Sequence, residues 1–209
     1  ELPEYKRQVL EVMRQPLEDR VVNISRAKFS IDYPAGFMLV AAMNPCPCGY
    51  FNHPEKACVC GPGIVQRYLN RISGPLLDRI DLHVEVTPVS FDELSTDIPS
   101  EGSKEIRLRV EKAREIQKKR FQNREGMHCN AQMSKSEFEV NCQLNQEGTQ
   151  LLKMAMNKLG LSARAYDRII KVSRTIADLD GSERIQSKHL AEAIQYRSLD
   201  RGNWGTNQA

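Results

Sequence analysis

The sequence predicts the second half of an α/β domain followed by a small all-helical domain. Three observations carry this. Phe37-Met38-Leu39-Val40-Ala41-Ala42-Met43 is a nearly continuous apolar run stopping at Asn44-Pro45, the pattern of a buried central strand. A stretch at 89–103 with four Ser, Pro99 and Gly102 reads as a linker. Beyond it, apolar residues recur only at helical spacing.

In chain order, Pro3 suits a first helical turn, and Tyr5, Val9, Leu10, Val12 and Met13 continue a helical pattern, predicting a helix over 3–14. Two β-prone runs, Val21–Ser25 and Phe29–Tyr33, flank Arg26-Ala27-Lys28 and predict a hairpin over 21–33 with a positive tip. The apolar strand would place polar Asn44 at its carboxyl end. A cysteine-rich loop follows at 46–60, then a helix over 62–72 and an alternating strand over Ile80–Val86 that includes His83. Helices are expected over 104–122, 147–158, 163–179 and 188–196. Gly160 is placed to end the second, Ser162 to cap the third and Ser187 to cap the last. The domains so drawn are 1–88 and 104–197, with a loose tail over 198–209. A hairpin and two core strands are few for a parallel sheet, so further strands are expected upstream of Glu1.

Composition narrows the class. The 209 residues are 40% apolar and 27% charged, ordinary for a globular chain and unlike collagen or a disordered segment. No run approaches the roughly 18 to 20 apolar residues that cross a bilayer, so no membrane partner is expected. The chain opens on Glu1 without a signal-like segment and reads as an excised, cytoplasmic fragment. Charge is uneven: residues 104–124 hold nine Lys and Arg against three Glu. Such a segment suits phosphates or another acidic surface, and equally a solvated helix face.

Four of the six cysteines crowd together as Cys46-Pro47-Cys48-Gly49 and Cys58-Val59-Cys60-Gly61. Two thiolate pairs, each followed by glycine, can close around one tetrahedral Zn²⁺ of structural type. Cys-x-Cys is tighter than the usual knuckle, and unliganded thiols, a disulfide, or His53 as a substitute ligand remain alternatives. Cys129 and Cys142 read as ordinary thiols.

The segments Glu1-Leu2-Pro3-Glu4-Tyr5, Arg14-Gln15-Pro16-Leu17-Glu18, Ala42-Met43-Asn44-Pro45-Cys46-Pro47-Cys48-Gly49, Gly74-Pro75-Leu76-Leu77-Asp78-Arg79-Ile80-Asp81-Leu82 and Leu161-Ser162-Ala163-Arg164-Ala165-Tyr166-Asp167-Arg168 occur in this order. The chain thereby resembles the magnesium-chelatase-like AAA+ ATPases, more closely their YifB/ComM branch, associated with competence and DNA branch migration. The resemblance implies a partial AAA+ P-loop NTPase core with a β-hairpin insertion, followed by an all-α lid. It makes Glu1 the acidic residue closing the Walker B strand, with the P-loop outside the fragment, which alone would be inactive. Asn44 becomes the sensor-1 residue, Arg79 the arginine finger offered to a neighbouring subunit, and Arg164 the sensor-2 residue, with Arg168 one turn away as the alternative. Such residues orient water, sense the γ-phosphate and neutralise developing charge. On spacing alone, Asn44 reads as a turn residue, Arg79 as an ion-pair partner of Asp78 or Asp81, and Arg164 as a solvated first-turn residue. The hairpin would project Arg26 and Lys28 at a nucleic-acid backbone; its plain alternative is a charged tip resisting edge pairing. The implied parent is a homo-hexamer using ATP and Mg²⁺ to move branched or single-stranded DNA. A chelatase motor inserting Mg²⁺ into a tetrapyrrole and a non-enzymatic zinc-containing adaptor are the competing readings.

Overall fold

The computed structural model describes residues 1–89 and 101–197, in two compact units that divide after Ile80. The linker expected at 89–103 falls largely, and the tail at 198–209 wholly, outside the described residues.

In the first unit the expected helix over 3–14 is broken into a 3-10 turn, Leu2–Glu4, and two short helices, α1 (Arg7–Val12) and α2 (Arg14–Asp19). Extended backbone at Tyr5 and Lys6 makes the first break. Pro16 sits in the first turn of α2, where its missing N–H costs no helical hydrogen bond. Leu2 and Leu10 pack with Ile72, Leu76 and Leu77, and Met43 and Ile80 border this small core.

The hairpin forms as expected. β1 (Val21–Arg26) pairs antiparallel with β2 (Phe29–Pro34), from Arg26 opposite Phe29 at the tip to Val21 opposite Pro34 at the base. Ala27 and Lys28 make the turn. Asn23 donates to Asp32 Oδ1 (2.6 Å) and Ser30 Oγ (3.0 Å), cross-strand bonds that fix the polar face.

Neither expected core strand is present as a strand. Residues 36–44 carry no ladder; Leu2 N donates to Ala42 O at 2.9 Å, while Met38 is 85% exposed. Residues 80–86 are likewise irregular, with Val84 and Val86 exposed. The physical reason is that a strand exists only through its partners, and among the described residues no third strand pairs with either run. His83 is buried, its N–H donating to Tyr196 O at 2.8 Å, so it belongs to the second unit's packing and is not a strand residue.

The helix expected over 62–72 shortens to α3 (Ile64–Leu69), and α4 (Gly74–Leu77) follows, capped by Ser73 Oγ accepting from Leu76 N at 3.3 Å.

Among the described residues the regular structure of the second unit is helical: α5 (Ser103–Phe121), a 3-10 turn (Asn130–Gln132), α6 (Lys135–Asn141), α7 (Gln146–Leu159), α8 (Ala163–Leu179) and α9 (Ser187–Gln195). Gly160 ends α7 in the left-handed region at φ +63°, and Ser162 Oγ accepts from Ala165 N at 3.2 Å to start α8. At α9 the cap moves one residue: Gln186 precedes the helix and its N–H donates to His189 Nδ1 at 3.0 Å, in place of the expected Ser187 cap. Ile169 and Ile170 of α8 lie at the centre of the core with Leu152, Leu190 and Phe121.

Asp178 knits this unit together. Arg120 donates to both its oxygens (2.5 and 2.7 Å), Asn130 Nδ2 to Oδ2 (2.8 Å), and Arg174 Nε to Oδ1 (3.1 Å). Arg174 also donates to the Ser182 and Glu183 carbonyls (2.5 and 2.7 Å), holding the α8–α9 turn. Near that turn Lys188 and His189 converge on Asp180; the Lys188 ammonium, before His189 and Ser182, holds the Asp180 carboxyl down at about 2.

Candidate functional site

The cysteine loop folds as a cluster. Sγ of Cys46 lies 3.3 Å from that of Cys48 and 3.7 Å from that of Cys58, Cys48 and Cys58 are 3.5 Å apart, and all four sulfurs, Cys60 included, fall within 4.8 Å of one another. A tetrahedral Zn²⁺ with Zn–S of about 2.3 Å requires sulfurs about 3.8 Å apart, so the donor set fits that ion. Gly49 makes the first turn possible: its φ is +82° while its N–H reaches Cys46 O at 3.0 Å.

The clustered thiols do not titrate alike. The Tyr50 amide leads in drawing the Cys48 thiol down to about 6, against burial, with Cys46, Val59 and Cys58 adding to it. At Cys58 the Cys60 amide pulls downward, but burial and the neighbouring sulfurs of Cys48 and Cys46 push the thiol up to about 12. One sulfur gives up its proton easily and its neighbour then resists, as crowded like charges must until a cation joins them.

His53 does not complete the cluster. Its Nδ1 accepts from Glu55 N (3.1 Å) and Lys56 N (3.2 Å), and its ring stands edge-on to Tyr50 at 5.7 Å. Cys142 is remote and buried; burial pushes its thiol up to about 11, which leaves it protonated and unreactive.

The charge of Glu1 is felt at a residue that spacing does not single out. Tyr68, on α3, is buried. Burial first, then the negative charges of Glu1 and Glu4, raises its pKa. Both Glu1 and Asn44 are exposed.

Arg79 does not pair with Asp78 or Asp81. Its Nε lies 3.1 Å from Glu18 of α2, its Nη1 donates to Pro75 O at 2.7 Å, and its side chain is 10% exposed. In the second unit Arg164 is exposed in the first turn of α8, whereas Arg168 pairs with Asp81. Arg26 and Lys28 are exposed at the hairpin tip. The basic run 104–124 is partly spent within the unit: Arg109 pairs with Glu101 (2.5 Å), Arg120 with Asp178 (2.5 Å) and Arg124 with Glu137 (2.5 Å). Its surface is accordingly less cationic than its composition.

Two family descriptions match the chain in tandem: "Magnesium chelatase, subunit ChlI" over residues 1–94 and "Magnesium chelatase, subunit ChlI C-terminal" over residues 100–197. The chain belongs to the magnesium-chelatase-like AAA+ family. Competence protein ComM of Haemophilus influenzae is 48% identical over 96% of the chain, and YifB of Escherichia coli is 44% identical over the same share. A Mycobacterium tuberculosis relative is 33% identical over 94% of the chain. This chain spans 38% of the length of each of these relatives. Within the magnesium-chelatase-like family the similarity places it in the ComM/YifB branch.

Proposed function

We propose that the chain is the second half of the AAA+ core and the helical lid of a ring-forming ATPase that acts on DNA. The observation carrying this reading is the 48% identity to a competence protein, spread over both units. In it, Glu1 orients the hydrolytic water, Asn44 senses the γ-phosphate, Arg79 completes a neighbouring protomer's site and Arg164 reports lid position. Mg²⁺ and ATP are held with a phosphate cradle supplied by another part of the protein, so residues 1–209 alone hydrolyse nothing. The full assembly in this reading is a cytoplasmic homo-hexamer. Separately, no helix among the described residues is long and apolar enough to cross a membrane.

The test is the ATPase rate of the full-length protein with and without branched or single-stranded DNA, at rising salt. Stimulation that fades with salt is expected, because phosphate contacts release counterions. A rate indifferent to DNA removes the reading. The name of the matching family favours the second reading, a motor driving Mg²⁺ into a tetrapyrrole, and stimulation by a chelatase partner alone would select it.

Cys46, Cys48, Cys58 and Cys60 hold one structural Zn²⁺ in this proposal. Four thiolates leave no position for water, so the ion braces the loop that follows Asn44 and performs no chemistry. Metal analysis of chain purified without chelator is expected to find about one zinc per chain; a value far below one refutes the site.

A further inference from the structure

The hairpin has two unlike faces. The pairing register puts Asn23, Ser25, Ser30 and Asp32 on one side, and Val22, Ile24, Arg26, Phe29, Ile31 and Tyr33 on the other. That second side is not a core face. Phe29 is 55% exposed and Tyr33 50%, and Ile24 and Ile31 are exposed between them. A shallow open groove runs along it, lined by Ile24, Arg26, Ala27, Lys28, Phe29 and Tyr33. Both rings therefore open onto one groove whose far end carries two exposed cations.

We propose that this face is a stacking platform for single-stranded DNA, with Phe29 and Tyr33 taking bases and Arg26 and Lys28 taking the adjoining phosphates. The inference rests on the DNA reading above and deepens it by naming the form of DNA and the residues that touch its bases. Four residues along β2 separate the two rings by roughly 13 Å. That spans about four base steps at 3.4 Å each. Ile24 and Ile31 form the apolar floor between them. Bases of any identity have a face to stack, and cations contact phosphates without reading sequence, so the platform is sequence-tolerant. A duplex keeps its bases stacked on one another and offers this face only its backbone. Charge complementarity selects the occupant: a purely apolar partner would leave Arg26 and Lys28 unanswered at the end of the groove.

The experiment measures binding of the full-length protein to a fluorescein-labelled 30-nucleotide oligo-dT and to a 30-base-pair duplex by fluorescence anisotropy. Phe29→Leu and Tyr33→Leu keep an apolar face and remove the ring. Each is expected to weaken oligo-dT binding by roughly 5- to 150-fold while duplex binding changes less than about twofold. Phe29→Tyr and Tyr33→Phe should bind as the unaltered protein. Arg26→Ala with Lys28→Ala should weaken both DNAs and flatten the salt dependence. Leucine variants that bind oligo-dT normally overturn the platform while leaving the DNA reading intact. Equal losses on both DNAs overturn it too. So does unchanged oligo-dT binding accompanied by a changed sedimentation mass, which assigns the face to a second copy of the chain. An unaltered protein that binds neither DNA removes the broader reading together with this one.

Discussion

Replacing Arg79 by Ala in the full-length protein is expected to lower the ATPase turnover by about 10³- to 10⁵-fold with nucleotide affinity nearly unchanged. That is the loss seen when an arginine supplied in trans no longer meets the charge developing on the transferred phosphoryl group. The geometry supplies a competing outcome. Arg79 is engaged inside its own unit, 3.1 Å from Glu18 and donating to Pro75 O, so a purely structural arginine predicts a stability loss of about 1 kcal/mol and no kinetic effect. Glu18→Gln separates the two. It removes the same ion pair yet leaves the guanidinium, so its melting temperature should fall about as far as that of Arg79→Ala while its turnover stays near normal. Steady-state phosphate release and nucleotide titration on both variants make the comparison. Normal turnover in Arg79→Ala withdraws the finger assignment; equal turnover losses in both variants show that the ion pair, rather than the finger, matters.

How far the sequence spoke for itself depends on the range of the interactions involved. The long helices α5, α7 and α8 were legible because their apolar periodicity, Ser162 and Gly160 act within a few residues. The hairpin was legible for the same reason, its two strands being joined by a two-residue turn. The short α4 and α6 are not legible, since one or two turns hold too few residues to establish a period. The runs 36–44 and 80–86 have strand composition but no ladder among the described residues, which composition cannot reveal. At the site, the cysteine pairing was read from spacing and the sulfurs do converge. Glu18 at Arg79 is not legible in the sequence, because that contact joins residues far apart in the chain. Arg120 reads as surface charge from its own segment, because its partner lies 58 residues on.

That partner carries the largest expected effect on stability. Asp178 has no exposed side-chain surface and answers two guanidiniums and one carboxamide at once. Asp178→Ala leaves Arg174, itself 3% exposed, and Arg120 facing each other without a carboxylate. Breaking a buried pair from one side costs about 3–5 kcal/mol, because the remaining charge is neither solvated nor matched. Urea unfolding of the chain followed by circular dichroism should show a loss of that size, and a loss below about 1 kcal/mol would contradict the network's role. Asp178→Asn should fall between, since an amide keeps an acceptor for one guanidinium but no charge. A triple replacement, Arg120→Leu with Arg174→Met and Asp178→Leu, removes the charges together and should recover part of the loss. It would not recover all of it, because Arg174 also holds the Ser182 and Glu183 carbonyls, and without those bonds the turn joining α8 to α9 loosens where Leu190 enters the core. A triple variant as stable as the parent would mean that packing alone fixes that turn.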